Sequence, residues 1–154
     1  FQNNSLTYND VREKAQKVYK LESSQQLKSL PELANDYKNV VKNASLLEVI
    51  ASYLALTEVY VRYTQFALNE ENIIKAQKGY QFAIEAATLA GEHLDKAQND
   101  NLIIDKELLE NSNTYKVSDP QVAINITDQL LASRINNLLK VNQQSPFQVK
   151  SIHQ

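Results

Sequence analysis

Acid–base, nucleophilic or metal chemistry in this chain would fall to few side chains. Its 154 residues contain two histidines, eighteen Asp and Glu and eight tyrosines, but no cysteine and no methionine. Lack of cysteine excludes disulfides, iron–sulfur clusters, thiolate nucleophiles and thiolate zinc sites together. His93 and His153 lie outside any His-Glu-x-x-His pattern, and Ala90 stands where the Glu-x-x-His motif of di-iron bundles needs a glutamate. A metal at His93 would have to recruit Glu92 or Asp95. Acyl transfer needs a nucleophile, a base and an orienting acid, and no Gly-x-Ser-x-Gly occurs. The two glycines, Gly79 and Gly91, are too few for a phosphate-cradling loop. Glu70/Glu71 and Glu107/Glu110 have the spacing of solvated helix faces. The expectation is a protein that is not an enzyme and uses no cofactor and no metal.

Recognition fits the residues better than catalysis. Tyr53, Tyr60 and Tyr63 fall on one side of a long apolar segment, where Tyr37 and Tyr80 could meet them. Tyrosine suits an interface because its apolar body and polar tip can both be satisfied there. Further on, Ile73, Ala76, Tyr80, Ala83, Ala87, Ala90, Leu94 and Ala97 recur at alternating steps of three and four, a knobs-into-holes seam. Its small residues, with Gly79 and Gly91, predict close helix contact. Phe82, Ala86, Leu89 and His93 form a second apolar face on the same helix. With the alanine seam turned inward, that second face must be covered by another helix or by a partner. Partner-binding candidates are therefore Phe82, Leu89, His93, Tyr53, Tyr60 and Tyr63, and the occupant is a protein or peptide or a second copy of the chain. A ligand- or metal-binding bundle is the alternative, and it needs polar groups such as His93, Tyr80 and Glu85 to converge.

The elements that position these residues read as helices throughout. Leu, Ala, Glu, Lys and Gln lose little on entering a helix, and Asp10/Lys14, Glu13/Lys17, Glu58/Arg62, Glu71/Lys75 and Glu92/Lys96 place the acid four residues before the base. Thr7 and Asp10 open a first helix with the face Tyr8, Val11, Ala15, Val18 and Glu22, ending by Ser23–Gln26. Pro31 is expected at the first position of a second helix, with Leu33, Tyr37, Val40 and Ala44 inward. A break at Asn43–Ser45 precedes a central helix over 46–68, apolar except for Glu48, Glu58, Arg62 and Gln65. Asn69 is expected both to end it and to cap the helix over 71–98. A helix over 101–110 offers Leu102, Ile103, Leu108 and Leu109 for packing, a loop covers 111–118, and a last helix restarts at Ser118-Asp119-Pro120-Gln121. The expected fold is all-α, an antiparallel bundle of five or six helices over 1–141, with 142–154 an extended or disordered tail.

A net charge of −2 argues against nucleic-acid binding. The carboxylates and Arg62 make 46–68 too costly for a membrane span. A chain that starts at Phe1 without methionine is expected to be processed and extracytoplasmic, periplasmic or secreted, with a cytoplasmic domain fragment as the alternative. Asn and Gln, about a fifth of the residues, lean toward a bacterial source. Finally, the run Ala76-Gln77-Lys78-Gly79-Tyr80-Gln81-Phe82-Ala83-Ile84-Glu85-Ala86 resembles tetratricopeptide repeats over about 50 residues, which implies a peptide-binding module. The chain departs from that pattern in a helix twice the repeat length, a glycine before rather than after the aromatic, and no recurrence at 34 residues.

Overall fold

The computed structural model describes residues 6–142. Six helices follow one another: α1 (Tyr8–Val18), α2 (Ser23–Val40), α3 (Leu46–Asn69), α4 (Ile73–Asn99), α5 (Lys106–Glu110) and α6 (Pro120–Val141). They pack as an all-α antiparallel bundle, with no strand among the described residues. Their lengths of 11, 18, 24, 27, 5 and 22 residues show no repeating hairpin, so the tetratricopeptide-like run stays a local likeness. None of them is long and apolar enough to cross a membrane. His153 and the expected tail, apart from Asn142, lie outside the described residues.

Local chemistry sets most of the boundaries. Thr7 accepts a hydrogen bond from the Asp10 amide while the Asp10 carboxylate accepts one from the Thr7 amide, a complete capping box. Ser45 caps α3, and Asp119 caps α6 with Pro120 just inside. Asn69 ends α3 as expected, but Asn72 caps α4 by accepting from the Lys75 amide. Between them Glu71 takes a left-handed conformation, φ 55°, so that the Asn72 amide reaches back to the Ala67 carbonyl and the Glu71 amide to Leu68.

Two elements begin elsewhere than the sequence predicts. α2 starts at Ser23, eight residues before Pro31, which lies inside the helix. Gln26, Leu27 and Leu30 continue the buried stripe of Leu33, Ala34 and Tyr37 backward, and the Gln26 amide donates to the carbonyls of Tyr19 and Leu21, closing the turn from α1. That packing offsets a proline interruption worth about 3 kcal/mol. The helix expected over 101–110 shrinks to Lys106–Glu110 because Asn101, φ 58°, ends α4 in the same left-handed cap as Glu71. Leu109 is buried, whereas Leu102 and Ile103 are left 44% and 89% exposed.

α3 is the central element, buried along most of its circumference and packed against α2, α4, α5 and α6. α4 uses two faces within the chain. Phe82 and His93 stack on Tyr60 and Tyr53 of α3, while Tyr80 donates to Asp128 of α6 and Gly91 faces Pro120. Only one of the two glycines marks close contact. A methyl group at Gly79 would collide with Thr64 Oγ1 and meet Tyr63 Cδ2 at 3.0 Å, whereas at Gly91 the nearest atom is Pro120 Cβ at an ordinary 3.6 Å. Gly79→Ala is therefore expected to destabilise by about 1–3 kcal/mol. Gly91→Ala, free of a clash, is expected to stabilise by about 0.5–1 kcal/mol through helix propensity. Urea midpoints of the two variants check this, and equal shifts of one sign would contradict it.

Candidate functional site

α2 and α4 both pack chiefly on α3, which leaves a furrow with α3 as its floor. Leu30, Pro31, Ala34, Asn35 and Lys38 form one wall, Lys78 and Phe82 the other, and Val59, Tyr60 and Tyr63 the floor, around a cavity of about 210 Å³. Leu30/Ala34/Lys38, Pro31/Asn35, Tyr60/Tyr63 and Lys78/Phe82 stand three or four residues apart, so each wall and the floor come from one helix face. The Tyr60 and Phe82 rings lie 5.2 Å apart at 47°. Lys38 Nζ sits 5.6 Å from the Tyr60 centroid and 5.8 Å from that of Phe82, within cation–π range of both. No carboxylate lines the furrow, and none among the described residues comes within ion-pair distance of Lys38 or Lys78. The site therefore presents two ammonium groups around an aromatic floor.

Of the six residues expected to face a partner, Phe82, Tyr60 and Tyr63 come together here. Phe82 is 42% exposed. Tyr53, Leu89 and His93 do not line the furrow. Tyr53 and His93 stack on each other at 5.3 Å, and His93 Nδ1–H donates to the Leu89 carbonyl at 2.8 Å. Tyr37 and Tyr80 also turn away from the trio. Tyr37 packs in the core near Tyr8 and Glu58, and Tyr80 points to Asp128. His93, Tyr80 and exposed Glu85 consequently fail to converge. No group of three His, Asp or Glu side chains suited to a metal occurs among the described residues. Pro31, Asn35, Lys38 and Lys78 escape sequence reasoning, since an exposed polar residue on a helix carries no signal until the opposite wall is known.

The polar side of α3 holds a second constellation. Glu58, 2% exposed, accepts from the Thr114 amide at 2.9 Å, from the Thr114 hydroxyl and from Arg62 Nε at 3.0 Å. Arg62 in turn lies 3.8 Å over the Tyr19 ring. The loop 111–118 is held in shape by buried Asn113, whose side chain donates to Leu109 and Val117 carbonyls and accepts from the Val117 amide. An adjoining cavity of about 10 Å³ has room for one water at most. With both oxygens engaged, Glu58 acts as a clamp for the loop. Replacing it with leucine leaves the Thr114 donors and Arg62 without their acceptor, so Glu58→Leu is expected to destabilise by about 2–4 kcal/mol. Thr114→Val is expected to cost less, because the amide bond survives. Chemical denaturation of both variants tests that ranking.

Burial raises the pKa of six of the eight tyrosines. Tyr8 is pushed up to about 12 by desolvation, with Arg12 opposing and Glu48 assisting. Tyr19, Tyr37, Tyr63, Tyr80 and Tyr115 are also raised, chiefly by desolvation, with the Glu58 carboxylate adding to Tyr19, Tyr37 and Tyr115 and a hydrogen bond to Asp128 adding to Tyr80. The folded state thus keeps these protons when the unfolded chain releases them near pH 10. Stability from this source is fully present below pH 10 and is lost as pH rises toward 12 and beyond. Urea midpoints are expected to stay level from pH 7 to 9 and then fall, with phenolate absorbance rising in step with unfolding. Tyr8→Phe should flatten the fall. It should also stabilise the protein at pH 7 by about 1 kcal/mol, because the buried Tyr8 hydroxyl has no partner.

No protein-family model matches this chain, and neither a curated protein nor a solved structure does, so the geometry of the furrow carries the functional reading.

Proposed function

We propose that the protein is a non-enzymatic helical binding module that takes a side chain of a protein or peptide partner into the α2–α3–α4 furrow. The observation that carries this reading is Phe82. It is the one large apolar residue of the second α4 face that stays exposed, and it packs on Tyr60 in the wall of a cavity lined from three helices. Aromatic residues at the centre of a concave patch are where interface energy concentrates. Size also favours a peptide. A cavity of about 210 Å³ lies below the roughly 300–1,000 Å³ of small-molecule pockets, and it accepts one or two side chains of a longer segment.

The test is selection of random peptides displayed on phage against the whole protein. Selected peptides are expected to lose affinity at least about tenfold on Phe82→Ala and on Tyr63→Ala, the scale of one hot-spot residue. Ile103→Ser, which alters the most exposed apolar side chain away from the furrow, is expected to leave them unaffected. Thermal midpoints of the variants report whether the fold is retained. Peptides that depend on Ile103 and ignore Phe82 would overturn the proposal.

A further inference from the structure

We infer that the segment bound in the furrow is acidic, an apolar anchor residue flanked by carboxylates. This rests on the furrow being the partner site, and it adds the charge of the occupant. Lys38 stands on the α2 wall and Lys78 on the α4 wall, so positive charge brackets the Tyr60–Tyr63 floor from both sides. The acids of α2 are directed elsewhere. Glu32 and Asp36 both pair with Lys14 of α1, the latter at 2.6 Å, which directs the two carboxylates, with the net −1 left after pairing, to the α1 side of the helix. On α4, Glu85 is exposed but does not line the cavity. Lys38 is held over two rings at 5.6 and 5.8 Å, so its ammonium is stationed at the mouth and can accept a carboxylate while keeping the ring contacts.

The surrounding charge makes the inference sharp. The chain is net −2, so diffuse electrostatics favours a basic ligand, and preference for an acidic one must come from the furrow itself. Three fluorescein-labelled, amidated peptides serve as probes. They share a central Phe-Leu pair and carry three Glu, three Gln or three Lys on each side. By fluorescence anisotropy at low salt, the Glu probe is expected to bind about tenfold tighter than the Gln probe, with the Lys probe weakest. The order is expected to invert on the double variant Lys38→Glu/Lys78→Glu, and raising salt is expected to weaken the Glu probe alone. Both lysines are exposed, and an unchanged urea midpoint shows that the variant is folded. Equal binding of all three probes, abolished by Phe82→Ala, would overturn the acidic inference and leave the furrow as the partner site. Absence of binding by every probe, or binding indifferent to Phe82→Ala, would overturn both.

Discussion

Gly79 has no side chain, and because of that α4 can lie directly against Thr64 of α3. Thr64 is fully buried, and its hydroxyl is already committed to the Tyr60 carbonyl at 2.7 Å, so it cannot turn aside for a larger neighbour. The contact sits beside the furrow on both helices. Lys78 is adjacent to Gly79 and Phe82 lies one turn on, while Tyr63 is adjacent to Thr64 and Tyr60 one turn back. The spacing of α3 and α4 at this point therefore sets the 5.2 Å contact of Tyr60 with Phe82, where the furrow's floor meets its α4 wall. Helices that approach closely at one position leave room for larger side chains on the flanks of the contact. The cavity is a consequence of that tight contact and of the gap between α2 and α4.

The second constraint is electrostatic. A central helix buried on nearly all sides leaves no solvent for Glu58 and little for Arg62, yet both are present on α3. The bundle answers by bringing the 111–118 loop over Glu58, so that desolvation of the carboxylate is offset by two donors from Thr114 and one from its i,i+4 partner Arg62. Arg62 keeps 21% of its side chain in contact with solvent and uses Tyr19 as a platform. This explains why a stretch with no regular secondary structure is shaped so fully by Asn113: it must deliver the Thr114 amide and hydroxyl to one buried carboxylate. It also explains why so many tyrosines cluster there with raised pKa, since they share the low-dielectric surroundings that Glu58 itself occupies.

Most of the fold is legible in the sequence because it is encoded locally. The capping box at Thr7 and Asp10, the cap at Ser45, Pro120 at the first turn of α6 and the three–four seam of α4 depend on neighbours in the chain. What misleads is a local rule overruled from outside. Pro31 reads as a start, but Leu27, Leu30 and the Gln26 bonds to α1 carry the helix through it. Asn101 misleads in the opposite sense, since a left-handed residue ends α4 and leaves Leu102 and Ile103 outside any helix. The site is half legible for the same reason. A second apolar face on α4 is visible in the spacing, but which of its members stays open depends on where α3 supplies an aromatic. Tyr53 covers His93, whereas Tyr60 supports Phe82 from below and leaves its outer side exposed.

The lysines show how local charge departs from net charge on this bundle. Counting residues gives −2 and argues against anionic partners in bulk. Helical phase then sorts the charges of α2 onto two sides. Glu32 and Asp36, four residues apart, turn to Lys14 on α1, while Pro31, Asn35 and Lys38, at steps of four and three, turn to the furrow. One α1 lysine that draws two carboxylates to its side thus leaves Lys38 without an ion-pair partner beside Lys78 on the other wall. Lys38, 5.6 Å from the Tyr60 centroid, acts locally, whereas a small net charge spread over the whole surface is screened within about 8 Å at physiological salt. The character of the site follows from the pairing of Lys14 on a different helix, a relation that composition cannot express and that only the packing of α1 on α2 creates.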